Sequence, residues 1–375
     1  MGNMKAIISG GGSGGHIFPA IAIANTIKKR HPGANVLFVG AKGKMEMEKV
    51  PEAGYKIEGL PITGLQRKPT LKNLFFNMTV PFKMVRSQLM VKRILHDFQP
   101  DIVVGVGGYA SAPTLKTAAK MGLPTLLQEQ NSYPGLTNKM LAKSAKTICV
   151  AYEGLEQFFP AEKIVLTGNP VRAAIENMTC TREEGIRHFA LKEERPVALC
   201  VGGSLGASSI NRMIIRHLDF FISHKIQLIW QTGKWMYNEA VQAVQEAGVG
   251  EWVEVHPFIN HMDYAYGAAD VVISRAGAIA ISELCLVGKP VILIPSPNVA
   301  EDHQTRNALA LANKGAAALI PDAECDPKGL HTLLELMNDA QRRKTMSEAI
   351  VELGKRQAAE KIVDEIDKIV LEVKG

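Results

Sequence analysis

The sequence predicts an α/β protein made of two Rossmann-like, doubly wound parallel-sheet domains facing a common cleft. Three observations predict it. Apolar, β-branched runs alternate with helical stretches along the whole chain, the pattern of parallel strands covered on both faces. A strand enters a helix through bare glycines near the start, at Gly10 to Gly15, and again in mid-chain, at Gly202 to Gly206. The length, 375 residues, is long for one domain and comfortable for two.

The first strand reads from Ala6 to Ile8, and Pro19 is expected to begin a helix running from Ala20 to Lys29. The glycines between them permit a sharp turn at positive φ. They bring backbone N–H groups and a helix N-terminus to one point, which suits a phosphate. His16 stands there, as a helix-cap residue or as a base or oxyanion partner. Strands follow at Asn35–Gly40 and Tyr55–Ile62. From Leu60 to His96 the chain holds seven basic residues and no acidic one, with apolar residues almost continuous between Lys72 and Lys83. Leu74, Phe75, Phe76 and Phe82, rimmed by Lys72 and Lys83, form the expected patch for an anionic membrane surface. A core helix with solvated lysines is the plainer alternative. Asp101–Pro113 repeats the strand–glycine–helix design, with Gly107, Gly108 and Ser111 at the turn. A strand over Pro124–Gln128 ends in Glu129-Gln130-Asn131, polar residues at the edge where a parallel sheet holds its ligand. Strands at Thr147–Ala151 and Lys163–Thr167 complete this half; Gly168-Asn169-Pro170 breaks the pattern, and the polar stretch Glu176–Glu194 reads as the linker.

The second half alternates as regularly. Strands read at Val197–Val201, Ile226–Gln231, Val253–Pro257, Val271–Ser274, Pro290–Ile294 and Ala317–Ile320, with helices such as Trp235–Ala247 and Asp302–Lys314 between them. A helix starting near Ala278 presents its first-turn N–H groups to an anion. Glu283, one to two turns into that helix, could take both hydroxyls of a ribose; a solvent-exposed glutamate without a task is the alternative. Gln304 lies in another polar cluster at a strand-to-helix turn and could bond sugar hydroxyls. The expected division is 1–168, 169–345, and a terminal piece 346–375 that is one helix or a pair packing back over the domain junction.

Composition excludes several classes. A hydrophobic fraction of 46% with 21% charged residues is that of an ordinary soluble globular protein. The net charge of +6 is mild, and no nucleic-acid partner is expected. Five scattered cysteines without a C-x-x-C pair favour buried thiols in a reducing cytoplasm over disulfides or zinc. No uncharged apolar run reaches the roughly 18 residues that span a bilayer, and the N-terminus has no signal-peptide core. The expected location is cytosolic, at most lying on a membrane. No D-x-D, HExxH or G-x-S-x-G stands in a context that would use it, so neither a metal nor another cofactor is expected. Gly10-x-Gly12-x-x-Gly15 matches the dinucleotide fingerprint, yet the second strand ends in Gly40-Ala41-Lys42-Gly43 where an NAD site wants a carboxylate. An NADP site using Lys42 is the remote alternative.

The ordered series of motifs resembles the MurG family. Its members are bacterial transferases that add N-acetylglucosamine to undecaprenyl-diphosphate-linked muramyl-pentapeptide. The motifs are Gly11-Gly12-Ser13-Gly14-Gly15-His16-Ile17-Phe18-Pro19, Gly107-Gly108-Tyr109-x-Ser111-x-Pro113, Glu129-Gln130-Asn131, Gly168-Asn169-Pro170-Val171-Arg172, Gly202-Gly203-Ser204-x-Gly206-Ala207, Arg275-x-Gly277-Ala278 and His303-Gln304-x-x-Asn307-Ala308. The resemblance implies the glycosyltransferase-B fold, with UDP-N-acetylglucosamine on the C-terminal domain and the lipid acceptor on the N-terminal one. It implies a peripheral protein on the cytoplasmic face of the bacterial inner membrane, serving peptidoglycan synthesis and hence cell-wall biogenesis, cell shape and cell division.

Position by position, Glu283 resembles the ribose-binding carboxylate. Ser204 and the turn of Ala278, Ile279, Ala280, Ile281 and Ser282 resemble diphosphate and ribose contacts. Ile259 matches the residue whose backbone reads uracil, Asn131 and Arg172 match polar donor-site residues, and Gln304 matches a sugar contact. Ser13, Gly14 and Gly15 match the loop that closes on the donor, and Gly107, Gly108 and Tyr109 would line the acceptor diphosphate site. Ser13 stands where threonine is commoner, and Leu205 where glutamine is frequent, so no side-chain contact is carried over to Leu205. The implied reaction is attack of a muramyl C4 hydroxyl on the anomeric carbon with inversion, assisted by His16 or else Glu129 as base. Departure of UDP is then eased by backbone amides instead of a metal. A UDP-sugar epimerase of the same fold, an NADP oxidoreductase and a non-catalytic binding protein are the rivals; UDP release that requires a lipid-linked acceptor separates them.

Overall fold

The computed structural model describes residues 3–64, 70, 77–203 and 205–374. They divide into two compact units, one of Met1–Val171 with Gln357–Gly375, the other of Arg172–Arg356. Each carries one sheet, parallel throughout.

In the first unit the strands are β1 (Lys5–Ser9), β2 (Asn35–Ala41), β3 (Lys56–Leu60), β4 (Ile102–Gly105), β5 (Thr125–Glu129), β6 (Thr147–Val150) and β7 (Ile164–Leu166). Their spatial order is β3-β2-β1-β4-β5-β6-β7, so the winding reverses between β1 and β4. The helices are α1 (Gly14–Arg30), α2 (Glu46–Glu52), α3 (Val80–Phe98), α4 (Ser111–Lys120) and α5 (Leu136–Leu141), followed at the chain's end by Ala358–Lys374. Strand alternation builds a two-faced core. Ala6 and Ile8 face Ile23 and Ile27 of α1 and Ile362, Val363 and Ile366 of the terminal helix. Ile7 faces the other way, into the layer of Val91, Leu95 and Leu115.

The second unit has β8 (Val197–Val201), β9 (Gln227–Gln231), β10 (Val253–His256), β11 (Val271–Ser274), β12 (Val291–Leu293) and β13 (Ala318–Leu319), in the order β10-β9-β8-β11-β12-β13. Its reversal lies between β8 and β11. The helices are α6 (Ala173–Glu176), α7 (Arg182–His188), α8 (Ser208–Arg216), α9 (Asp219–Ser223), α10 (Tyr237–Glu246), α11 (Met262–Ala268), α12 (Ala278–Val287), α13 (His303–Ala312), α14 (Cys325–Asn338) and α15 (Ala340–Glu352). Every strand expected from the apolar runs is present, with ends that coincide or differ by a residue or two.

Three expectations change. The first helix begins at Gly14, not Pro19: Ser13 is its extended N-cap, and the Ser13 carbonyl accepts from the N–H groups of His16 and Ile17 at 3.1 and 3.2 Å. Glycines open the helix because the face of Ile17, Ala20, Ile23, Ala24 and Ile27 is buried, and packing outweighs propensity. The stretch Glu176–Glu194 is no linker. Thr181 and Glu184 form a capping box that starts α7, and Ile186 and Phe189 are buried with Ala265 and Ala268 of α11. Finally, residues 340–352 form α15 of the second unit, and only the helix Ala358–Lys374 returns to the first. That helix buries Ile362, Val363, Ile366, Ile369 and Val370, on the order of 10 kcal/mol of gross apolar burial. Its polar edge is pinned by Arg30, which donates to Glu360 at 2.7 Å, Asp364 at 2.6 Å and Asp367 at 3.1 Å.

The five thiols are all free, and burial pushes that of Cys285 up to about 12. No described helix is long and apolar enough to cross a membrane.

Candidate functional site

Each unit places its glycine-rich turns at the point where its sheet reverses, outside the carboxyl ends of the strands. That is where an open parallel sheet leaves a crevice for ligand.

In the first unit, two turns meet there. Gly11 and Gly12 leave β1 at φ 145° and 86°, and Gly107 and Gly108 leave β4 at φ 90° and 86°. A Cβ on Gly108 would stand 2.3 Å from the Gly11 carbonyl, so only glycine lets the turns touch. The His16 ring lies over Gly107, where a Cβ would meet its Nε2 and Cδ2 at 2.9 Å. His16 Nδ1 is 3.1 Å from both the Gly11 carbonyl and Ser13 Oγ. Tyr109 is half exposed, and its ring covers Gly64. Glu129 is buried, and its carboxylate accepts from the N–H groups of Asn131 at 3.0 Å and Gly135 at 3.1 Å and from the side-chain amides of Asn131 at 3.2 Å and Asn138 at 2.9 Å. Burial pushes the Glu129 carboxyl upward, and those four donors offset the rise only in part.

In the second unit, α12 starts at Ala278 behind Gly277 with no side-chain cap, so the first-turn amides of Ala278, Ile279 and Ala280 lack intrahelical acceptors. Ile281 is buried, and Ser282 Oγ turns back to the Ala278 carbonyl at 2.9 Å. Glu283 is buried, not solvent-exposed, and is held by Arg172. Burial works against the Arg172 charge, but the hydrogen bonds and field of Glu283 outweigh it and raise its pKa. The Ile259 N–H donates to Gln231 Oε1 at 2.9 Å, and Gln304 Oε1 accepts from Ser296 N–H at 2.8 Å. The helix carrying Gln304 is entered through Glu301 and Asp302, both left-handed at φ 54° and 51°, a strained entry of the sort found at binding loops. Ser204 lies outside the described residues.

Sequence reasoning missed three groups here, Glu46, Asn138 and Gln231, and gave Arg275, quoted in a motif, no role. Glu46, at the start of α2, has each carboxylate oxygen on a backbone amide: Gly12 N–H at 2.9 Å and Ala41 N–H at 3.0 Å. Gly12 therefore faces a carboxylate, which alters the phosphate-binding expectation for this turn. Asn138 Nδ2 donates to Glu129 at 2.9 Å and to the Gln128 carbonyl at 3.2 Å. Gln231 Nε2 donates to the Gly203 carbonyl at 3.0 Å, tying the mid-chain glycine turn to the segment at Ile259. Arg275 joins four loop ends, donating to the carbonyls of Ile294 and Pro295, to Asp322 and to Ser209 at 2.8 Å. Gln231 had a usable signal, a polar residue at a strand's carboxyl end. Glu46 had none, because its contact is set by how α2 folds under the turn.

Among the expected membrane residues, Lys72, Leu74, Phe75 and Phe76 lie outside the described residues. Phe82 is 80% exposed, and Val85 and Leu89 project beside it on one face of α3 at 57% and 66%. Lys83 donates to Thr63 Oγ1 at 3.3 Å. Among the described residues no group of three or more His, Cys, Asp or Glu side chains could hold a metal ion.

Comparison with known proteins agrees with these features. Residues 6–150 match the glycosyltransferase family 28 N-terminal domain and residues 197–366 its C-terminal domain. The chain is 54% identical to the UDP-N-acetylglucosamine–N-acetylmuramyl-(pentapeptide) pyrophosphoryl-undecaprenol N-acetylglucosamine transferase of Parabacteroides distasonis, over 99% of both chains. Among solved structures it is similar to Acinetobacter baumannii MurG, with TM-score 0.77 and 27% identity over 97% of this chain and 99% of that one. It also shares its fold with a UDP-GlcNAc 2-epimerase from Neisseria meningitidis, with TM-score 0.66 and 16% identity over 97% of this chain and 100% of that one. The chain belongs to the MurG family of glycosyltransferase family 28.

Proposed function

We infer that this chain transfers N-acetylglucosamine from UDP-N-acetylglucosamine to the C4 hydroxyl of N-acetylmuramyl-(pentapeptide) pyrophosphoryl-undecaprenol, releasing UDP. The observation that carries this reading is the 54% identity, end to end, with a transferase of that name. The geometry gives it a physical basis in each unit.

In the second unit the open amides at the start of α12 suit the diphosphate, and Glu283, one to two turns further on, suits the ribose hydroxyls. Arg172 holds that carboxylate in place until the donor arrives. The Ile259 segment, steadied by Gln231, is assigned to uracil, and Gln304 to the sugar. Ser204 is assigned to the diphosphate. In the first unit the paired turns at Gly11–Gly15 and Gly107–Tyr109 are assigned to the acceptor and to closure on the donor.

The muramyl hydroxyl oxygen forms a bond to the anomeric carbon as the bond to the UDP oxygen breaks, and the hydroxyl proton passes to a base. Inversion of an α-linked donor gives a β-1,4 link. His16 suits the base better than Glu129. A carbonyl can only accept, so the Gly11 contact favours the imidazole proton on Nδ1, with Ser13 Oγ, also 3.1 Å away, accepting beside it, and Nε2 is then the basic nitrogen. Glu129 is engaged by four N–H groups and positions the Asn131–Gly135 loop and Asn138 of α5 instead. Charge on the departing diphosphate falls to backbone amides, and turnover is expected to persist in EDTA.

The exposed apolar face of α3, with the cations around it, supports peripheral attachment to an anionic membrane, which the family resemblance assigns to the cytoplasmic face of the inner membrane. The carrying experiment is UDP release: it should require the lipid-linked muramyl acceptor. Conversion of UDP-N-acetylglucosamine without any acceptor would favour the epimerase reading instead.

A further inference from the structure

Glu46 is a buried carboxylate for which the transfer reaction, as derived above, has no use. Its surroundings give it one. Its Oε2 accepts from the N–H of Gly12 at 2.9 Å, and the carbonyl of Gly11 accepts from His16 Nδ1 at 3.1 Å. Gly11 C=O and Gly12 N–H belong to the same peptide group. The carboxylate and the imidazole thus sit on opposite ends of one amide dipole, joined through it by two hydrogen bonds.

We propose that Glu46 is a positioning residue that acts on His16 through the Gly11–Gly12 peptide. Its negative charge polarises that amide, making the Gly11 carbonyl a stronger acceptor. This fixes the proton of the neutral imidazole on Nδ1, keeps Nε2 as the basic nitrogen, and stabilises the imidazolium once Nε2 has taken a proton. No proton moves along the chain; the coupling is electrostatic. The backbone is shaped for it. Gly11 and Gly12 both have positive φ, and a Cβ on Gly11 would lie 2.2 Å from the Glu46 carboxylate. The second Glu46 oxygen is anchored by Ala41 N–H at 3.0 Å, so the carboxylate cannot swing away.

Other ionisable groups on the elements meeting this turn include Glu129 behind Asn138, Tyr109 after β4, Lys139 on α5, Glu48, Lys49 and Glu52 on α2, and the exposed Lys42 and Lys44. Only Glu46 bonds the peptide that holds His16 among the hydrogen bonds of the described residues.

The inference deepens the assignment of His16 as base, and its test reads the two apart. In the full chain labelled with ¹⁵N-histidine, His16 is identified by difference from His16→Gln. The expected wild-type spectrum shows the Nδ1–H tautomer; an Nε2–H tautomer would overturn the proposal without any variant at Glu46. In Glu46→Gln the His16 titration midpoint should fall by about half a unit to one unit, and the acid limb of kcat should move to lower pH by the same amount. The maximal kcat should drop about tenfold. A kcat loss with the midpoint unmoved means that Glu46 merely shapes the loop, and sinks the proposal. Glu46→Asp, which keeps the charge, should restore the midpoint if Glu46→Gln folds poorly. Undiminished kcat in His16→Gln would end the base assignment, while the tautomer and midpoint still decide the coupling.

Discussion

Arg172 grips Glu283 through two parallel hydrogen bonds, Nε to Oε1 at 2.7 Å and Nη2 to Oε2 at 2.6 Å. The Glu283 side chain is only 4% exposed while that of Arg172 is 40% exposed, so the arginine is the solvent-side half of the pair. A buried carboxylate needs such a partner, because removing one leaves an uncompensated charge. Arg172→Ala should therefore destabilise the second unit by about 2–3 kcal/mol, and Arg172→Lys by less, since lysine keeps the positive charge and loses only the paired contact. All three tryptophans, Trp230, Trp235 and Trp252, lie in that unit, so urea unfolding followed by tryptophan emission reports it alone. An unchanged midpoint in the alanine variant would contradict this account.

Contact between the two glycine turns of the first unit depends on there being no side chain at Gly108. In Gly108→Ala the new Cβ meets the Gly11 carbonyl at 2.3 Å and adds the strain of a positive φ, roughly 1–2 kcal/mol before any clash. The turns must separate, moving Gly11 and with it His16. We expect kcat to fall at least a hundredfold, with tryptophan-detected unfolding of the second unit unaltered. Activity within twofold of wild type would show that the turns need not touch.

Phe82, Val85 and Leu89 make a stripe on α3 that water covers at a cost. Replacing all three by serine should abolish sedimentation with anionic liposomes while leaving turnover intact on a short-chain, water-soluble acceptor. Phe75→Ser and Phe76→Ser extend the same test into the adjoining segment. Undiminished liposome binding by the combined variant would remove this face from the membrane assignment.

The terminal helix should come loose in acid. Arg30, by its hydrogen bond above all, holds the Glu360 carboxyl below the usual carboxylate range. A lowered folded pKa contributes stability that is present above the unfolded value, about 4.3, and is lost as pH falls through the folded one. Protection against hydrogen exchange across Ala358–Lys374, relative to the intrinsic rate at each pH, should fall below about pH 4, and Arg30→Ala should lower it at neutral pH. Equal protection of this helix at pH 3 and pH 7 would count against the ion pairs as its latch.

The alternation of strand and helix, the glycines of the four turns and the placing of polar residues after strands were all legible in the chain. Each of these is a local property: apolar runs of strand length, backbone that tolerates positive φ, and side chains at a sheet's carboxyl edge. Where local signals are weak the reading shifted. The charged surface of α7 hid Ile186 and Phe189, and a proline drew the start of α1 five residues too late. Propensity favours proline over glycine at a helix start, but the burial of Ile17 and Ala20 decides the matter.

By itself, then, the sequence determined two parallel sheets, the turns at their reversal points, and which residue types stand on those turns. Only the tertiary structure decided which groups are joined: Arg172 with Glu283 across 111 positions, Gly108 against Gly11, and Glu46 beneath the peptide that holds His16. The reason is range. Strands, turns and helix starts are set by neighbours along the chain, whereas a hydrogen bond between distant side chains exists only after packing has fixed both ends, and no spacing along the chain encodes it.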